Sequence, residues 1–190
     1  MKTISKIMAM MLIALAPMTF ISCLDDDDEI GLTLEGTWQG DMDIYHEYGG
    51  QNYEATWSEI CFVGDPYRLD EGDGYWVDYY KDSPWNRDYV ASHIIWNVRN
   101  GVIHVTFVED NYSIDIHDYR LSDSHFIGTI WDKDQRIDFS LYHVNSPNWN
   151  DYTYGWDDGW YWGNYGKAFG DVEAPKTPAP PVRHFGTPKE

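Results

Sequence analysis

Asn100-Gly101 sits between two runs of alternating apolar residues, and it restricts the possible folds more tightly than any other stretch of the chain. Both residues tolerate the positive φ that a type I′ turn demands, so the dipeptide predicts a two-residue β-hairpin spanning residues 94–108. With Asn100 and Gly101 as the loop, Arg99 faces Val102, Val98 faces Ile103, Trp96 faces Val105 and Ile94 faces Phe107. The last three pairs are apolar on both strands, whereas the opposite face pairs Asn97 with His104 and Ile95 with Thr106. A slip of one residue would turn each of these side chains to the wrong face, so the pattern specifies the register.

Further strands extend the ribbon on both sides. Residues 34–48 read as a first strand, with Leu34, Gly36, Trp38, Gly40, Met42 and Ile44 on one face and Gly40 as a place to bend. A turn at 49–52 leads to a second strand over 53–63. This strand holds Cys61, whose sole conceivable partner is Cys23, and which therefore reads as a buried free thiol. Tyr75 to Tyr80 makes a third strand, and 81–88 a loop. Downstream, Asp110-Asn111 reads as a second two-residue turn that pairs Phe107 with Ile114 and Val105 with Ile116. The same register sets His104 opposite His117 on the outer face, two imidazoles that make an incomplete metal site. Leu121 and Phe126 flank the next turn, which lays Tyr119 over Gly128 and calls for a bulge near His117 or Asp118. Lys133-Asp134 joins strands that pair Ile130 with Ile137, Gly128 with Phe139 and Phe126 with Leu141. The fold class is therefore all-β, a meander of roughly eight antiparallel strands without a helix.

Residues 1–22 carry a targeting pattern and are set aside from fold reasoning. Lys2 and Lys6 precede an apolar stretch, Ile7 to Ala16, that is too short to span a bilayer comfortably. Phe20-Ile21-Ser22-Cys23 resembles a bacterial lipobox, which implies cleavage before Cys23 and a lipid on that cysteine. Each buried CH₂ of an acyl chain adds about 0.8 kcal/mol, so several chains on Cys23 make a durable membrane anchor. Five consecutive acids follow, Asp25 to Glu29. They repel one another, so residues 23–33 are expected to form an extended tether. The run also resembles the acidic export signal of surface lipoproteins in Bacteroides-type bacteria. That likeness implies a lipid-anchored protein on the cell-surface side of the outer membrane. Acids without fixed geometry make a poor calcium cage, and no metal is expected there.

Charge and motifs bound the chemistry. Asp and Glu number 32 against 13 Lys and Arg, a net charge of −19, which argues against nucleic acid as a partner. No zinc-binding HExxH, phosphate loop or nucleophile elbow is present. His46-Glu47 and His117-Asp118 are adjacent pairs, and neighbours on a strand point to opposite faces, so neither forms a dyad. No catalytic residue and no cofactor is therefore expected. Ten Trp and 15 Tyr favour strands and binding surfaces, and many of them crowd the segment 146–170 among Asn, Asp and Gly. Three readings of this aromatic flap stand open. It packs back on the sheet, it is disordered, or it stacks a glycan on Trp156, Trp160 and Trp162. The Pro-rich tail, 171–190, is expected to be extended and disordered.

Several of these stretches carry a family likeness. Asp70-Glu71-Gly72-Asp73-Gly74-Tyr75-Trp76, the hairpin from Ile95 to Val105, Ile116 to Ser122 and Phe126-Ile127-Gly128 together resemble the small lipocalin-like lipoproteins of Bacteroides-type bacteria. The resemblance implies that residues 34–145 close into an eight-stranded up-and-down barrel of the lipocalin or calycin kind. Gly36-Thr37-Trp38 is similar to the G-x-W of lipocalins, where Trp plugs one barrel end; it also suits any buried strand Trp. A barrel of that size is either filled by side chains or holds one small ligand. The expected function is a surface-tethered, non-catalytic binding module for a glycan or a small apolar ligand. The alternative is a structural or protein-interaction subunit of a cell-envelope complex, with the flap as its interface.

Overall fold

The computed structural model describes residues 26–132, 135–156, 180–186 and 188. Its elements are helix α1 (Asp26–Leu34) and strands β1 (Gly36–Gly40), β2 (Ile44–Tyr48), β3 (Gln51–Glu54), β4 (Trp57–Asp65), β5 (Arg68–Tyr79), β6 (Tyr89–Arg99), β7 (Val102–Phe107), β8 (Tyr112–Leu121), β9 (His125–Asp132), β10 (Gln135–Val144) and β11 (Val182–Phe185). Eight strands close into an antiparallel barrel in the order β1-β10-β9-β8-β7-β6-β5-β4. The remaining strands form a separate sheet, β11-β2-β3.

The central hairpin pairs as its sequence demands, from Arg99–Val102 to Ile94–Phe107. Asn100 and Gly101 take φ of 53° and 75° at its tip. The β9–β10 pairs also agree, Ile130 with Ile137, Gly128 with Phe139 and Phe126 with Leu141. Between β8 and β9 the register shifts after His117, where Asp118 adopts a φ of 49°. A Cβ on Gly128 would lie 3.0 Å from that of Tyr119, so the aromatic residue does cover the strand glycine.

The β7–β8 register differs from the expected one by two residues: Phe107 pairs with Tyr112 and Val105 with Ile114. The turn is a four-residue one over 108–111, because Glu109 and Asp110 leave the ladder for other partners. Glu109 binds the His93 amide at 2.8 Å, and Asp110 reaches Arg183 at 2.8 Å. His104 consequently faces Asp115, to which it bonds at 2.6 Å, and not His117, which packs by Trp131. The outer-face histidine pair does not form.

Three further expectations are corrected. Asp26–Leu34 is a helix and not a stretch of extended tether. Its acids fill the first turn, where negative charge meets the positive end of the macrodipole. Asp27 also accepts 2.8 Å bonds from the Asn100 and Gly101 amides, tying the helix start to the hairpin tip. Residues 34–48 are not one strand: the chain leaves the barrel at Asp41–Asp43, where Asp43 has φ 53° and its amide bonds the Asp41 carboxylate. In the tail, Val182–Phe185 is an ordered strand on β2.

Large aromatic side chains fill the interior. Trp38, Phe62, Trp76, Trp96, Phe107 and Phe126 are all fully buried, joined edge-to-face or tilted at centroid distances between 5.0 and 6.4 Å. Each indole N–H has an acceptor: Trp38 bonds the Leu34 carbonyl, Trp76 the Asp78 carboxylate and Trp96 the Asp73 carbonyl. Gly72 makes room for Trp96, since a Cβ there would come within 2.9 Å of the indole ring. Trp96→Ala therefore removes a buried ring and its bonds to the Val63 and Asp73 carbonyls, and chemical denaturation should show a loss of about 3–5 kcal/mol. A loss below about 1 kcal/mol would contradict this packing.

Candidate functional site

The two barrel ends are closed differently. At one end α1 lies across the opening, with Gly31 so close to the Leu69 carbonyl that a Cβ would sit 1.9 Å from it, and with Leu34 in the core. The opposite end is the mouth, where the chain runs out into the β2–β3 hairpin, the 80–88 loop and the 108–111 turn. Over it lies the β11-β2-β3 sheet. Ile44 and Phe185 reach the barrel core from this sheet, joined by Met42 from the linking segment.

A polar layer sits just beneath that sheet. Side chains two residues apart on a strand share a face, so Ser58, Asp78 and Ser92 point inward one step above Ile60, Trp76 and Ile94. Asp78 has no solvent exposure. Its Oδ1 accepts from Ser58 Oγ at 2.7 Å and Trp76 Nε1 at 2.9 Å. Its Oδ2 takes a 2.9 Å bond from Nε of Arg183, a side chain only 1 % exposed that descends from β11. Arg183 also donates to Asp110 at 2.8 Å and to Ser92 at 3.2 Å, and its guanidinium lies 4.3 Å from the Phe107 ring centre. The ion pair is thus desolvated, hydrogen-bonded on both sides and roofed by an aromatic face. Burial pushes the Asp110 carboxyl up, and the Arg183 charge opposes that rise.

His46 on β2 completes the mouth. Its Nδ1 is hydrogen-bonded to the Tyr80 hydroxyl, and its ring packs edge-on to Tyr80 and Trp85. Burial holds its pKa well below 6.5, and the nearby charges of Arg183 and His184 push the same way.

Of the residues singled out for glycan stacking, Trp160 and Trp162 lie outside the described residues, as does the lipidation candidate Cys23. Trp156 is half-buried, edge-on to Trp85 at 5.7 Å and under the Arg87 guanidinium at 4.9 Å. The preceding part of the flap packs back on the outer wall. Trp149 stacks on Tyr75 at 5.0 Å, Tyr152 meets the Tyr79 hydroxyl, and Gly155 bonds the Ala91 carbonyl at 2.9 Å. Cys61 is a buried free thiol, its pKa raised by burial. Among the described residues, no group of three His, Cys, Asp or Glu side chains is placed to hold a metal.

A family model described as a lipocalin-like domain matches residues 34–128. The chain belongs to this family. No curated protein and no solved structure gives a match. A lipocalin-like barrel is typically a binding fold without catalysis, and it fits a module for small hydrophobic ligands. In this lipocalin-like chain the sequence reading missed the mouth residues Asp78, Ser92, Asp110 and Arg183. One signal was available: Asp78 follows Trp76 by two residues and so shares its inward face.

The histidine at the mouth makes stability depend on pH. The unfolded chain takes up a proton on His46 near pH 6.5 and the folded chain resists it, so the stability His46 contributes is present above that pH and lost as pH falls below it. Urea midpoints measured near pH 7 and near pH 5 should fall more in the wild type than in His46→Gln. Equal falls would contradict the buried neutral imidazole.

Proposed function

We propose that this lipocalin-like protein is a non-catalytic binding module that takes a small apolar ligand at the barrel mouth. The observation that carries the reading is the separateness of the closing sheet. Strands β2, β3 and β11 pair with one another and not with the barrel strands, so the sheet can lift without breaking the barrel ladder. Lifting it would withdraw Phe185 and Ile44 from the upper core and bare an apolar hollow floored by Trp76 and Phe107. The opposite end has no such freedom, because α1 runs directly into β1 and is tied to the hairpin tip through Asp27. The mouth thus combines an apolar floor with a few convergent polar groups, as ligand pockets do.

The module is held at the outer membrane by lipid on Cys23, with the acidic run after it directing the protein to the cell surface. Support for this half comes from the residues alone: Lys2 and Lys6, the short apolar stretch, Phe20 to Cys23 and the five acids. An apolar ligand suits the mouth better than a glycan does, since the interior is built of aromatic and branched aliphatic side chains.

Two experiments test the reading. The neutral probe N-phenylnaphthylamine should bind the full chain saturably and take energy from the buried tryptophans. A signal that never saturates would argue instead for an interaction subunit without a small-molecule ligand. Cys23→Ala should move the protein from the membrane fraction to the soluble fraction, and an unchanged distribution would defeat the anchoring proposal.

A further inference from the structure

The strand that closes the mouth puts a cation and an aromatic ring inside the barrel, two residues apart on one face. Arg183 meets Asp78, Asp110 and Ser92, and the Phe185 ring lies 6.0 Å from Trp76, 6.1 Å from Phe107 and 6.4 Å from Tyr112. β11 is four residues long, stands at the edge of its sheet and pairs with β2 alone. It resembles a strand-type ligand laid on an open sheet edge, except that it belongs to the same chain. No barrel strand pairs with β11, so β11 can leave while the barrel ladder stays intact.

We infer that the pocket under β11 is a binding site for an organic cation with an apolar body, and that Arg183 and Phe185 are its resident stand-in. The inference rests on the barrel-mouth reading above and adds the charge of the ligand to it. The reason is electrostatic. The other donors to Asp78, Ser58 and Trp76, are neutral, and the carboxylate has no exposure to water. Removing Arg183 without a replacement leaves a buried, uncompensated charge, with Asp110 beside it. A neutral ligand leaves that deficit in place, and a fatty acid deepens it. A ligand that brings its own cation removes it.

The geometry narrows the class further. Ser92 Oγ accepts from both Nη atoms of Arg183, and Asp78 accepts from Nε. That fan of acceptors suits the planar fork of a guanidinium or amidine better than a compact ammonium. Phe107 supplies an aromatic face for the charge. The net charge of −19 draws cations toward the molecule from a distance.

The test compares phenylbutylguanidine with phenylbutanol and phenylbutanoate, three probes of one apolar body and different charge, on the full-length protein. Calorimetry should show the guanidine binding about tenfold more tightly than the alcohol, and the carboxylate more weakly than either. Hydrogen exchange at the β11 amides should speed up as the guanidine saturates, while that of β6 and β7 stays slow. Asp78→Asn should abolish the preference for the cation, and Arg183→Met should tighten guanidine binding by removing the competitor. Equal binding of the three probes overturns the inference and leaves the barrel-mouth reading standing. So do a preference that survives Asp78→Asn and a β11 that stays protected at saturation. If either variant fails to fold, the wild-type probe comparison and exchange pattern decide alone. Failure of all three probes while N-phenylnaphthylamine still binds overturns the inference but not the reading beneath it.

Discussion

A carboxylate without solvent exposure sits in the upper half of this barrel, and the arrangement of the mouth follows from it. Asp78 is placed there by strand periodicity, two residues beyond the buried Trp76. Two neutral hydrogen bonds cannot compensate its charge in so dry a position, so a cation must be brought to it. The chain supplies one from more than 100 residues away, as Arg183 on β11. That strand in turn needs an edge to pair with, which β2 provides only because the chain leaves the barrel at Asp41–Asp43. The β2–β3 hairpin, the long turn before β8 that presents Asp110 and the ordered tail strand are thus parts of one solution to a single buried charge.

The two ends of the barrel consequently have different mechanical characters. The acids of α1 stabilise the start of the helix and also clamp the Asn100-Gly101 turn through Asp27, so charge and hydrogen bonding both hold that end shut. The mouth is shut by side-chain packing and the ion pairs of Arg183 with Asp78 and Asp110, beneath a sheet that shares no ladder with the barrel. On the reading proposed above, such a module opens at one end and keeps its aromatic floor in place. Membership in the lipocalin-like family agrees with such a division, since the fold suits a ligand held within the barrel.

What the sequence revealed about the fold depended on how local the determining interactions are. The β6–β7 register was legible because Asn-Gly restricts the turn and three apolar pairs restrict the face. The same held for β9–β10 and for the bulge before Tyr119. The β7–β8 register was not legible. Asp110-Asn111 has the composition of a tight turn, but Glu109 and Asp110 are drawn away by His93 and Arg183, which lie elsewhere in the sequence. The acidic run looked like solvated tether because its helical role depends on two amide donors at the hairpin tip that only the fold brings to Asp27. The tail strand follows a Pro-rich stretch and carries Arg and His among its four residues, so nothing in its own pattern marks it as buried. The inward position of Asp78 was available from its spacing to Trp76, but its partner was not, because a pair separated by 105 positions leaves no local trace.

The most direct test is a double-mutant cycle on the unfolding free energy of the full chain, using Asp78→Asn, Arg183→Met and the two together. If the buried pair holds the closing strand over the mouth, the Arg183 variant alone should cost about 3–5 kcal/mol, because it leaves a desolvated charge behind. The double variant should then recover a large part of that loss, giving a coupling energy of about 2 kcal/mol. Losses that add to within about 0.5 kcal/mol would contradict the pair's role in closing the barrel.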